Sequence, residues 1–179
     1  MIALTPAKSF VGLVYRAHNP RWAYAPSSGE GAARHRGRFN PRGVPSLFVA
    51  LDPKTAWMEA QQGMPFKAQP LTLVSYRVDC KRIVDLTEPA VLAAIGIADE
   101  TLACPWEDWA TKGLAPPTWE LAEVLIAEGH HGIRMPSFAP GTGPADHNLV
   151  LWRWSDVPPC CVIVIDDFGR LPKDDASWL

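Results

Sequence analysis

The chain lacks most of the features that identify a function at a glance. No apolar run approaches the roughly 20 residues of a membrane-crossing helix. The stretch from Met1 to Val14 carries Lys8 and some apolar side chains but no signal-peptide design, so a cytoplasmic protein with no membrane partner is expected. A Walker A loop and a G-x-G-x-x-G fingerprint are both missing, which excludes the P-loop and Rossmann classes. Internal repeats, linkers and low-complexity segments are absent too. At 179 residues the chain has the length of a single domain, 1–179, with a substantial core.

Cysteine is scarce. Cys80, Cys104, Cys160 and Cys161 form no C-x-x-C pair, and the adjacent Cys160 and Cys161 make a poor disulfide because the geometry is strained. Reduced structural thiols are the expectation. His130, His131 and His147 fit no standard metal spacing, and adjacent histidines point in different directions on an extended chain, so no metal is expected.

Net charge is also small, at −2, but acids are nearly missing from the first 50 residues. There, Lys8, Arg16, Arg21, Arg34, Arg36, Arg38 and Arg42 face Glu30 alone, a net +6. The remainder holds ten basic and eighteen acidic residues, a net −8. A basic third on an acidic body points to a local anion site, and the acidic body argues against direct nucleic-acid binding.

Proline, by contrast, is abundant. Its 18 copies imply loops and short elements rather than a helical bundle. The pattern predicts strands over 10–17, 46–51, 71–78, 82–86, 132–136, 148–154 and 161–165. Helices are predicted from Asp52-Pro53 to about Gly63, over 88–95 and 106–112, and from Pro116-Pro117-Thr118 through Trp119 to Glu128. Residues 18–45 and 137–147 read as loops, and the tail from Asp166 as polar and loose. The fold class is α+β, with a mixed or antiparallel sheet and short flanking helices.

The densest stretch for function is 29–59: an arginine- and glycine-rich loop, an apolar strand, then a helix carrying Glu59. Guanidinium forks beside flexible backbone suit a phosphate-bearing ligand, and a following acid suits chemistry on it. Arg38, in Gly37-Arg38-Phe39-Asn40-Pro41, reads equally as a pyrophosphate ligand or as a surface arginine paired with an acid. Arg16, after Tyr15, sits at a strand end, where a solvated tip is the ordinary alternative. Glu59 lies seven residues beyond the Asp52 N-cap, a place where an exposed helix glutamate is common. Ser137 follows Arg134-Met135-Pro136 outside any G-x-S-x-G, so it reads as a positioning hydroxyl or a plain loop serine. Trp106, Trp109, Trp119, Trp152 and Trp154 read as core or partner surface rather than a stacking platform.

Taken in order, Val14-Tyr15-Arg16, Gly29 to Pro45, Ser46 to Glu59, Gly132-Ile133-Arg134-Met135-Pro136-Ser137 and Asn148-Leu149-Val150-Leu151 resemble the RES-domain family, the toxins of Xre–RES toxin–antitoxin modules. The resemblance implies a compact fold similar to ADP-ribosyltransferases, acting on NAD as substrate. Some relatives hydrolyse or phosphorolyse NAD, and a closely similar type ADP-ribosylates phosphoribosyl pyrophosphate synthetase. It places functional positions on Arg16, Arg38, Glu59 and Ser137, with Tyr15, Phe48 and Asn148 among the NAD-binding residues. It also implies an antitoxin partner with an Xre-like, DUF2384-type domain that covers the NAD cleft; Trp22 and Trp178 are candidates for that interface. Two departures stand out: Phe48 replaces the family's frequent Tyr, and Phe39 its usual Trp. Loss of the Tyr hydroxyl would weaken hydrolysis relative to transfer.

The expected activity is therefore transfer of ADP-ribose to a protein target after cleavage of the nicotinamide–ribose bond. Glu59 would stabilise the oxocarbenium-like ribose, Arg16 and Arg38 would hold the pyrophosphate, and Ser137 would position nicotinamide or ribose. The alternatives are an NAD-depleting hydrolase or phosphorylase, and a non-catalytic nucleotide-binding module.

Overall fold

One long strand organises the sheet. In the computed structural model, which describes residues 5–61 and 67–176, strand β3 (Thr72–Asp85) pairs along most of its length with β1 (Lys8–His18) on one edge. On its other edge it meets β6 (Cys160–Val164) in antiparallel register. Its last residues, Ile83 to Asp85, pair in parallel with β4 (Gly132–Pro136). From β4 the ladder continues antiparallel to β5 (His147–Leu151) and then to β2 (Leu47–Ala50). β2 returns to β1 through one pair, Tyr15 with Ala50. The pairings thus close into a ring of five strands, with β6 added outside.

Side-chain alternation explains the ring. Val14, Leu47, Val49, Val74, Tyr76, Val78, Leu149 and Leu151 share one buried cluster inside it. The opposite faces of β4 and β5 turn Ile133, Met135 and Val150 into a second cluster. Helices α3 (Pro89–Ile95), α4 (Asp99–Leu102) and, after the short α5 (Trp106–Thr111), α6 (Pro117–Ala127) follow; α3, α4 and α6 cover that side with Val91, Leu92, Leu102, Leu121 and Leu125. Gly132 allows β4 and β5 to approach: a Cβ there would lie 2.2 Å from the Val150 carbonyl oxygen.

The structure departs from the sequence-based expectations at several points. The predicted strands 71–78 and 82–86 are one strand. Arg82 adopts a left-handed φ of 54°, and its side chain donates to the carbonyls of Glu128 and Gly129 at the end of α6. The predicted strand 148–154 stops at Leu151, because the amides of Trp152 and Arg153 both turn to the His131 carbonyl. The expected loop 18–45 contains a 3-10 turn (Pro20–Trp22) and helix α1 (Glu30–His35). α1 has Glu30 in its first turn and Arg34 and His35 in its last, favourable to the helix dipole, but six residues are too few to show periodicity. The four residues of α4 show none for the same reason. α2 (Pro53–Gln61) starts where predicted, with the Asp52 carboxylate accepting from the amides of Lys54 and Thr55. Its expected end at Gly63, like Trp178, lies outside the described residues.

The cysteine expectation is corrected. Cys80 and Cys160 face each other across the β3–β6 ladder and are joined in a disulfide, while Cys104 and Cys161 are free. The partners are 80 residues apart, and only the strand register reveals them.

Candidate active site

The cleft forms where β1 and β2 part. They share only the Tyr15–Ala50 pair, and Ala50 also pairs with Asn148 on β5. Around this junction lies a cavity of about 330 Å³, within the usual size of small-molecule sites. Tyr15, Arg16, Arg38, Phe48, Glu59 and Asn148 all line it. Five elements distant in sequence thus bring together every predicted site residue except Ser137, which joins through Glu59.

Glu59 is the best-supported group. α2 packs on β1 and β2, and its Thr55 and Glu59, one turn apart, present to the same neighbour. The Thr55 hydroxyl donates to Asp146 at 2.9 Å, and the Ser137 hydroxyl donates to Glu59 Oε1 at 2.6 Å. Asn148 Nδ2 donates to the same Glu59 oxygen. Two donors on one carboxylate oxygen fix its rotamer. The loop that carries Ser137 is closed on itself: Ser137 N donates to Asp146 O at 2.7 Å, and Gly143 N to the Asp146 carboxylate. These bonds hold the Asp146 carboxyl below its ordinary range, the Gly143 amide contributing most. Asn148 is itself buried, and its Oδ1 has no protein partner.

Arg38 occupies the tip of a tight turn. Gly37 and Asn40 exchange backbone hydrogen bonds at 3.0 and 3.3 Å, leaving Arg38 and Phe39 between them. Phe39 is fully buried and anchors the turn in the helix-side core. Glycine at 37 leaves room for its neighbours: a Cβ would meet Asn40 Oδ1 at 2.7 Å and Phe48 Cζ at 3.1 Å, so both side chains would have to shift. Arg38 Nη1 donates to the carbonyls of Leu102 and Cys104, and its guanidinium lies 4.6 Å from the Phe138 ring centre. Burial lowers its pKa from the ordinary arginine value, opposed by the nearby Cys104 and Glu59.

Arg16 lines the cavity from the end of β1. Its Nη1 donates to the carbonyls of Pro26 at 2.9 Å and Ser28 at 3.0 Å. Tyr76 donates its hydroxyl to the same Pro26 oxygen at 2.7 Å. Arg16 therefore ties down the 26–28 segment while still lining the cavity. Its pKa is lowered by burial, and burial raises that of Tyr76 to about 12.

Sequence reasoning missed two things. The first is the work of the tryptophans. Trp119 Nε1 donates to Gly37 O at 2.8 Å, Trp152 Nε1 to Phe39 O at 3.0 Å, and Trp154 Nε1 to Ser27 O at 3.1 Å. Three indoles thus tether the loop that carries the arginines, and Trp106 lines the cavity. The second is Arg36. It also lines the cavity, in a left-handed conformation (φ 56°, ψ 167°) that is costly for a residue with a side chain. Of the histidines considered for a metal, His130 contacts Glu128 at 3.0 Å, His131 contacts Lys81 O at 2.8 Å, and His147 contacts Arg134 at 2.9 Å.

No helix among the described residues is long and apolar enough to cross a membrane. A search of curated proteins found no match. Among solved structures, the chain is similar to one in the crystal structure of the M. tuberculosis MbcT–MbcA toxin–antitoxin complex. The TM-score is 0.62 at 17% identity, over 89% of this chain and 84% of that one. At that identity the likeness shows the fold. The family model for the RES domain matches residues 13–173, which take in every strand's contribution to the cleft, and the chain belongs to the RES-domain family.

Proposed function

We propose that the chain is the toxin of a toxin–antitoxin pair. In this reading it has an ADP-ribosyltransferase-like fold, cleaves the nicotinamide–ribose bond of NAD and passes ADP-ribose to a protein. The single observation that carries this reading is Glu59, held by Ser137 and Asn148 inside a cleft lined by Arg16, Arg36 and Arg38. A fixed carboxylate stabilises positive charge and guanidinium groups bind phosphates, and NAD needs both within one molecule.

In the proposed reaction the bond from ribose C1′ to the nicotinamide nitrogen breaks, and its electron pair leaves with nicotinamide, which becomes neutral. The ribose acquires oxocarbenium character, which the Glu59 carboxylate offsets. A nucleophile on the protein target then bonds to C1′ and loses its proton. Arg16, Arg36 and Arg38 take the pyrophosphate, and Arg16 also ties down the 26–28 segment. The unpartnered Asn148 Oδ1 accepts from the nicotinamide amide or a ribose hydroxyl. Tyr15 and Phe48 flank the ring. Phe48 offers no hydroxyl to orient water, which favours transfer over hydrolysis. Phosphoribosyl pyrophosphate synthetase is the proposed target, and an Xre-like, DUF2384-type antitoxin the proposed partner. The structural neighbour comes from a toxin–antitoxin complex, which supports that partnership.

The test is incubation with NAD labelled on its adenylate, with and without cell lysate. Label moving to one protein band, and not in Glu59→Ala, is expected. NAD loss with only small-molecule products would replace transfer by hydrolysis or phosphorolysis. NAD binding without turnover would replace both by a binding module.

A further inference from the structure

The Cys80–Cys160 pair lies outside the cleft, and neither it nor its neighbour His131 lines the cavity. The two sulfurs and one ring nitrogen of His131 lie within 4.8 Å of one another, the only such group of three metal-capable side chains among the described residues. Cys80 and Cys160 are fully buried in the core between β3 and β6. His131 is half-buried and rigidly placed: its amide donates to Arg82 O, and its carbonyl accepts from Trp152 and Arg153. Its Nδ1 lies 2.8 Å from the Lys81 carbonyl. A carbonyl only accepts, so Nδ1 is the donor there and Nε2 is the nitrogen left for another partner. A histidine whose tautomer is set by a backbone carbonyl is the arrangement found behind metal-bound imidazoles.

We propose that the reduced chain binds one thiolate-preferring divalent ion, of the zinc class, through Cys80, Cys160 and His131, with water completing the coordination. Sulfur and imidazole suit such an ion, and two thiolates balance its two charges. A thiol reductant first converts the disulfide to two thiols and is itself oxidised to a disulfide. The ion then displaces two thiol protons, while neutral His131 adds its lone pair. Disulfide and metal site are therefore alternative states of the same three residues, and only the reduced state binds. In that state the ion ties β3, β6 and the start of β4 together.

The test uses cobalt(II) as the probe and a phosphine as the reductant, which takes oxygen from water and is removed before metal is added. Reduced wild type is expected to bind one equivalent and show a thiolate-to-cobalt charge-transfer band that zinc abolishes. Unreduced wild type, the same folded chain, is expected to show no band. Cys160→Ser should lose the band, and His131→Ala should weaken cobalt binding by about 10-fold or more. Absence of a band in reduced wild type would overturn the site, as would its survival in Cys160→Ser. An equal band before and after reduction would overturn the redox gate.

Discussion

Individual residues of the cleft have separable duties. The Ser137 and Asn148 donors act through Glu59, so Ser137→Ala and Asn148→Ala each leave the carboxylate in place but less well aimed. Each substitution is expected to lower turnover of NAD by about 10-fold to 100-fold, mainly in kcat, since misplacement of a reacting group is costly. Steady-state kinetics with nicotinamide release as readout checks this; unchanged kcat in both would show that Glu59 needs no such support. His18 offers a test of stability instead. It ends β1, both ring nitrogens are buried without partners, and burial, then the charge of Arg16, lowers its pKa from 6.5 to about 4. The unfolded chain takes up this proton below about pH 6.5 while the folded chain resists until about pH 4, so His18 makes stability fall as pH drops through that window. In His18→Leu the loss of Tm between those two pH values should be smaller than in wild type. An equal loss would remove His18 as its source.

Elements rather than residues set the position of the arginine loop. The Gly37–Asn40 turn and the 26–28 segment have little regular structure, and their carbonyls are satisfied by Trp119, Trp152, Trp154, Arg16 and Tyr76. Trp119→Phe and Trp152→Phe each remove one indole donor and strand a carbonyl. The cost of each is about 1–3 kcal/mol, read as a Tm lower by roughly 2–4 °C per kcal/mol. KM for NAD should rise in both variants, because the turn that carries Arg38 loosens. A Tm drop with unchanged KM would confine the tryptophans to stability. This layer was the least legible in the sequence. Glu59 could be read because the Asp52-Pro53 helix start fixes its helical phase, and Arg38 because of the Gly37 beside it. The tryptophans looked like core residues, since an indole shows its apolar body in a pattern but not the carbonyl its N–H will reach. Short α1 and α4 were invisible because a turn and a half carries no period.

At the scale of the whole molecule, the strand ring joins segments from both ends of the chain into one cleft. The sequence conveyed which segments would be strands, because apolar alternation is local. Their pairing was not legible: the Cys80–Cys160 disulfide and the meeting of Tyr15, Ala50 and Asn148 depend on register between distant segments. The order of the family motifs along the chain nonetheless pointed to the residues that now line one cavity. The claim on which the proposed activity rests is that a negative charge at Glu59 drives cleavage of NAD. Glu59→Gln keeps the shape and an accepting Oε1 for Ser137 and Asn148 and removes the negative charge. The decisive measurement is nicotinamide release from NAD by wild type and Glu59→Gln, side by side, with Tm recorded for both. Release at least about 100-fold slower in the variant, at similar Tm, is predicted. Release at the wild-type rate would contradict the assignment of Glu59 as the charge that the reaction needs.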